Sequence, residues 1–165
     1  MFQYDFSNHQ NRHIRITDMP AEYFQRIQET TRKDPYYPVW HIAPKCGLMN
    51  DPNGLCEING IHHIFYQWFP AGPVHGLKHW YHLTTKDFIH YEDFGPVVFP
   101  DEDIDAHGVY SGSAFIEDDT IHYFYTGNLK YFDRDDYDYI NSGRGSNTIT
   151  FTSKDGYCLL YTSPS

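Results

Sequence analysis

The sequence predicts an all-β protein built from repeated four-strand units, with one short helix ahead of them. Three observations carry this. An Asn-Gly turn at Asn59-Gly60 separates two strand-like stretches, Leu55–Ile58 and Ile61–Gln67, which is the strongest short-range hairpin signal. The layout then recurs as Ser113–Glu117, a turn at Asp118-Asp119, and Thr120–Thr126. IHHIFYQ at 61–67 corresponds to IHYFYTG at 121–127, and TTKD at 84–87 to TSKD at 152–155. Finally, 15 Tyr, 12 Phe and 3 Trp among 165 residues favour strands. Hairpin plus hairpin, repeated, is the pattern of β-propeller blades. An ordinary β-sandwich with chance similarity between strands is the competing architecture.

Residues 1–19 are polar and irregular, and no function attaches to them. Pro20 opens a helix through about Lys33, with Tyr23, Phe24 and Ile27 at helical spacing, and Asp34-Pro35 closes it. From Val39 onward short aromatic and β-branched strands alternate with turns. LMNDPNG at 48–54 has the composition of a tight turn, because Pro presets φ at the second position and Asn and Gly tolerate the conformations required after it. Counting outward from Ile58 opposite Ile61 sets Pro52 opposite Gln67 and Asp51 opposite Trp68. Asp51 and Gln67 thus share one end of the hairpin. The two repeat offsets, 60 and 68 residues, differ by length that a polar insertion between Leu129 and Ser146 can absorb. Two units without a closing element leave sheet edges unprotected and point to a fragment.

Composition narrows the partners. With 22 acidic against 12 basic residues the formal net charge is -10, which disfavours nucleic acid and anionic membranes but leaves room for a small basic pocket. No apolar run approaches membrane-spanning length, and the N-terminus has no secretory-signal pattern. Three cysteines, Cys46, Cys56 and Cys158, fit a reducing compartment, so a cytoplasmic protein is expected. No metal or cofactor is expected either. His62-His63 alternates across a strand, and His79 and His82 lack a third ligand. Ser111 and Ser113 have no triad context.

Asp51 is the leading candidate for chemistry, against the plainer reading that it only forms a turn. Asn50 stands beside it and Gln67 lies at the same end of the hairpin. The repeat supplies Tyr110 and Ser111 at the corresponding end, and in a propeller such ends converge on a central cavity. A carboxylate, two amides, a hydroxyl and aromatics suit a carbohydrate.

WHIAPKCGLMNDPNG (40–54), HIFYQ (63–67), HGVYSGSA (107–114) and FYTGN (124–128), in this order, resemble glycoside hydrolase family 32. The family includes invertases, levanases, inulinases and sucrose-6-phosphate hydrolases, and the resemblance covers roughly residues 38–157. It implies a five-bladed propeller, of which this chain would hold about the first two blades and the start of a third. It also implies hydrolysis of terminal β-D-fructofuranosides with retention, with Asp51 as nucleophile and a small-molecule sugar as substrate. Leu48, Met49, Asn50, Gln67, Trp80, Tyr110 and Ser111 fall at substrate-binding positions. Retention needs a second carboxyl about 5–5.5 Å from the first. The family's Arg-Asp-Pro and Glu-Cys blocks, which hold the other two carboxylates, are missing. Arg134-Asp135 is followed by Asp136 instead of Pro, inside YFDRDDYDY, a solvated charge run. The 165 residues are therefore expected to be inactive alone. CLLYTSPS at 158–165 resembles a translated sequencing-library adapter and is expected to be foreign to the protein.

GPVHGLKHW at 72–80 departs from many members, placing His75-Gly76 where they have Trp-Gly. This loop resembles that of bacterial sucrose-6-phosphate hydrolases. His75, Lys78 and His79 form a compact basic group in which Lys78 suits a phosphate as a point charge, or else is a surface lysine beside locally packed histidines. An extracellular invertase or inulinase, and a non-catalytic sugar-binding propeller, are the alternatives.

Overall fold

Asn59 and Gly60 both take positive φ, 54° and 75°, and Asp118 and Asp119 do the same at 47° and 57°. Paired positive φ is the two-residue turn whose twist matches that of flanking strands. Both expected hairpins therefore form, and each grows into a sheet. The computed structural model describes residues 4–138 and 141–161. Strands β1 (Leu48–Ile58), β2 (Ile61–Phe69), β3 (His79–Thr85) and β4 (Tyr91–Val98) make one four-stranded antiparallel sheet in chain order. Strands β5 (Val109–Glu117), β6 (Thr120–Lys130), β7 (Arg144–Ser153) and β8 (Leu160–Tyr161) make the second in the same way. Every described strand belongs to one of these two blade-like meanders.

The TTKD and TSKD repeats close the third strand of each sheet by the same bonds. Asp87 Oδ1 accepts the N–H groups of Ile89 and His90 at 2.9 and 2.8 Å, and Thr85 Oγ1 accepts those of Asp87 and Phe88. Asp155 Oδ1 accepts Tyr157 and Cys158 at 2.8 and 2.9 Å, and Ser153 Oγ accepts Gly156 at 2.9 Å. Such side-chain bonds satisfy backbone donors as the chain leaves the ladder. The polar insertion is the β6–β7 connection, where the exposed Arg134 guanidinium pairs with Asp136 at 2.7 and 2.8 Å. Residues 1–3 of the N-terminal segment, 139–140 of the insertion and 162–165 of the expected foreign tail lie outside the described residues. Leu160–Tyr161 of that tail pair with Thr152 and Phe151 as β8.

One expectation is overturned. Asp51-Pro52-Asn53-Gly54 is not a turn, because β1 runs unbroken through it for 11 residues. Register shifts between Met49 and Pro52 and between Asn53 and Cys56 mark two bulges, so Pro52 faces Tyr66 and not Gln67. A bulge on an edge strand tolerates a proline with no N–H to give the ladder. Gly54 absorbs the second bulge with φ +53°, where an added Cβ would lie 3.0 Å from Phe65 and 3.1 Å from Trp80.

The core between the sheets is aromatic. Phe65 and Trp80 meet Tyr123, Tyr125 and Phe151, all enclosed, with Tyr123 stacked on Phe151 at 4.7 Å. Each such ring removes on the order of 150–250 Å² from water, which is what joins one sheet to the other. The helix α1 spans Ala21–Arg32 between Pro20 and Lys33, as its spacing predicts. Tyr23, Phe24 and Ile27 turn inward onto Phe69, Ala71 and Leu77, and the Tyr23 hydroxyl donates to the Ala71 carbonyl. Among the described residues no helix is long and apolar enough to cross a membrane.

Candidate functional site

Backbone irregularities aim the site. Between the Met49–Trp68 and Pro52–Tyr66 pairs, Asn50 and Asp51 both stand opposite the single residue Gln67. Between the Val109–Gly127 and Gly112–Tyr125 pairs, Tyr110 and Ser111 both stand opposite Thr126. The same two-against-one device thus recurs in the first strand of each sheet, and a bulge of this kind re-aims side chains that strict alternation would send to opposite faces. Gly112 permits the second bulge, since a Cβ there would fall 1.9 Å from the Phe124 carbonyl oxygen.

The two strand ends meet at Asp51. Buried Gln67 (4% exposed) donates from Nε2 to Asp51 Oδ2 at 3.1 Å and to Ser111 Oγ at 2.8 Å. Ser111 Oγ donates to the same Oδ2 at 2.6 Å. A carboxylate exposed to solvent is thereby clamped from both sheets through one of its oxygens. Asn53, which was not among the candidates from sequence, fastens the arrangement. Its Nδ2 donates to the Asp51 carbonyl at 2.8 Å and its Oδ1 accepts the Gly112 N–H at 2.9 Å. Its position inside the DPNG block was the available signal.

The other expected residues divide. Leu48 is half-buried and Met49 exposed, both on the approach to the bulge. Tyr110 is half-buried beside Ser111. Trp80 is fully enclosed (0% exposed) and its indole N–H donates to the Tyr110 carbonyl at 3.0 Å, so it supports the site from below and presents no surface to it. Lys78 is also buried, at 1% exposed, and its ammonium donates to Asn50 Oδ1. Burial pushes Lys78 down to about 8, partly offset by the Asp51 charge. A lysine in this place reads as a prop for Asn50, in contrast to the surface lysine of the sequence alternatives.

The compact basic group does not stay together. His75 is exposed, whereas His79 is enclosed against Phe99 at 5.5 Å, and its pKa falls to about 4 through burial. Adjacent residues entering a strand point to opposite faces, which separates Lys78 from His79. Among the described residues no three His, Cys, Asp or Glu side chains group as a metal site.

Two bulged strand ends presenting a clamped carboxylate between blades define a propeller-borne polar site. Residues 41–164 match the model of the glycosyl hydrolases family 32 N-terminal domain, and the chain belongs to that family. It is 53% identical over 121 residues to a sucrose-6-phosphate hydrolase of Vibrio alginolyticus, covering 73% of this chain and 25% of that one. Against the sucrose-6-phosphate hydrolase of Staphylococcus xylosus the identity is 42% over 119 residues, 72% of this chain and 24% of that one. The chain thus spans about a quarter of the length of these curated relatives. Among solved structures, the sucrose-6-phosphate hydrolase of Lactobacillus gasseri superposes with a TM-score of 0.82 at 32% identity, covering 94% of this chain and 30% of that one. A family 32 β-fructofuranosidase of Bombyx mori gives 0.65 at 26%, covering 88% and 30%.

Proposed function

We propose that the whole protein hydrolyses terminal β-D-fructofuranosides with retention, sucrose-6-phosphate foremost, inside the cell, and that Asp51 is its nucleophile. The observation that supports this most is the convergence of Gln67 and Ser111 from separate sheets on Asp51 Oδ2. Both donors take the same oxygen, so Oδ1 is the one a fructosyl anomeric carbon would meet. A nucleophile held this way loses little freedom on reaching the near-attack geometry, which is a large part of the rate advantage of a positioned group. Asn50, Gln67, Tyr110 and Ser111 surround it with donors and acceptors suited to sugar hydroxyls. The second carboxyl of a retaining pair has no counterpart in the motifs of these residues, so the 165 residues alone are read as catalytically silent. The sucrose-6-phosphate preference rests on the likeness to hydrolases of that name and on the His75-Gly76 loop.

The test is fructose release from sucrose-6-phosphate and from sucrose by the whole protein and by its Asp51→Asn variant. Loss of roughly three orders of magnitude or more with an unchanged circular dichroism spectrum is expected. Near-normal turnover would reduce Asp51 to a structural residue.

A further inference from the structure

The loop between the two sheets, residues 99–108, is folded around a carboxyl that takes no part in the site described above. Asp105 is 0% exposed. Its Oδ1 accepts the Glu102 N–H at 3.0 Å, and its backbone carbonyl accepts the Gly108 N–H at 2.8 Å. Its Oδ2 reaches out of the loop and accepts the Tyr125 hydroxyl of β6 at 2.7 Å. The loop lies directly on β6 because Gly127 has no side chain. A Cβ there would stand 2.7 Å from the Ile104 carbonyl oxygen and 2.9 Å from the Asp105 Cβ. From β7, Asn147 Nδ2 donates to the same Ile104 carbonyl at 2.8 Å.

These bonds bracket the bulge that carries Ser111. At its entry stands Gly108, whose N–H Asp105 holds and whose carbonyl accepts the Asn128 N–H at 3.0 Å; the next residue, Val109, pairs with Gly127. At its exit stands Gly112, paired with Tyr125, the residue whose hydroxyl Asp105 holds. Tyr110 and Ser111 lie between these two points. Trp80, its ring 5.9 Å from that of Tyr125, donates its indole N–H to the Tyr110 carbonyl, so the middle of the bulge also leans on the tyrosine. A bulge interrupts its ladder, and its shape is only as definite as its ends. The Ser111 hydroxyl must arrive within 2.6 Å of Asp51 Oδ2, and such a bond tolerates little displacement.

Stability alone does not account for an acid in this place. Burial raises the Asp105 pKa, the bonds from Tyr125 and Glu102 work against this, and the charges of Asp101 and Glu102 add to it. Taking a carboxylate out of water is costly. What it returns is two charge-assisted bonds held in fixed directions by one rigid group. An amide cannot copy them, because its NH2 would face one of the two donors.

We propose that Asp105 is a positioning residue, fixing both ends of the β5 bulge so that the Ser111 hydroxyl reaches the Asp51 carboxylate. Its kinetic consequence rests on the fructosidase reading above.

The test uses the whole protein, with sucrose as substrate and amide hydrogen exchange as a measurement that needs no turnover. Asp105→Asn keeps the size of the side chain, and Tyr125→Phe keeps the ring and removes only the donor. Each should lower kcat at least ~10-fold, with KM changing less, because a displaced bulge misorients the nucleophile. Combined with Ser111→Ala, either should turn over no more slowly than Ser111→Ala alone, since both act through the same bond. Each should also speed exchange of the Gly112 amide while the Leu83 amide in the first sheet keeps its native rate. Tyr125→Phe carries the test even where Asp105→Asn fails to fold. Native kcat in the folded variants, losses that multiply in the combined variants, or unchanged Gly112 exchange would each overturn the proposal. Faster Gly112 exchange in the variants of a protein that releases no fructose supports the positioning and overturns only the fructosidase reading.

Discussion

The Asn53 side-chain carbonyl accepts the Gly112 backbone N–H at 2.9 Å, tying the strand that carries Asp51 to the strand that carries Ser111. The same side chain donates to the Asp51 carbonyl at 2.8 Å. One buried amide thus shapes the bulge and joins the two sheets. Asn53→Ala would leave the half-buried Gly112 N–H without this acceptor, which costs about 1–3 kcal/mol. A urea midpoint lowered accordingly in the whole protein, with turnover falling further than stability, is the expected result. A variant as stable as the parent would mean that water replaces the amide without loss.

Gly112 gives a second prediction. Because a Cβ would stand 1.9 Å from the Phe124 carbonyl oxygen, no rotamer can relieve the clash, and backbone must move. Gly112→Ala should open the β5–β6 pairing beside Ser111 and lower stability by about 1–3 kcal/mol, as overpacking does. Hydrogen exchange at the Tyr125 and Gly112 amides would show the opening directly. Unchanged protection there would place the bulge elsewhere than between Val109 and Gly112.

How much of this was legible beforehand depends on how local each cause is. The two hairpin turns and the correspondence of TTKD with TSKD are set by neighbouring residues, and they read correctly; that these segments close the third strands was not read beforehand. The nearness of Asp51 and Gln67 also read correctly, although the register was displaced by two bulges. Asp-Pro-Asn-Gly read wrongly because its composition does suit a turn. What keeps it extended is pairing with β2 and the Asn53 bond to β5, neither of which is visible in four residues. Lys78 misled for a related reason. A charged side chain reads as solvated, and only the closing of the two sheets over Asn50 buries it.

The burial of Lys78 changes what its removal should do. Its ammonium holds Asn50, next to Asp51, and lies 1% exposed. Lys78→Met keeps the stem's packing and removes the charge and its bond, so kcat/KM should fall by similar factors, on the order of ten-fold or more, for sucrose and sucrose-6-phosphate. A loss on the phosphorylated sugar alone in Lys78→Met would return Lys78 to direct phosphate contact.

The seam between the sheets should be sensitive to acid. His63 and His82 share a hydrogen bond at 3.0 Å between Nδ1 and Nε2, and the His82 ring stacks on Phe65 at 4.2 Å. Gly156, in the turn that ends β7, presses so closely that a Cβ there would fall 2.2 Å from the His63 ring. Burial pushes His82 from 6.5 to about 3, with His63 adding to the effect, and burial lowers His63 as well. A histidine depressed in this way binds fewer protons folded than unfolded. Its stabilising contribution is complete above roughly pH 6.5 and is lost as pH falls below that toward the folded value. At pH 5 the deficit from His82 alone is about 2 kcal/mol. The urea midpoint should therefore drop between pH 7 and pH 5. His82→Gln, which does not titrate but can still bond His63, should start lower through loss of the ring stack and show a flatter pH dependence. A native midpoint that stays constant over this range would mean that both rings accept protons in the folded state and that the seam opens to water around them.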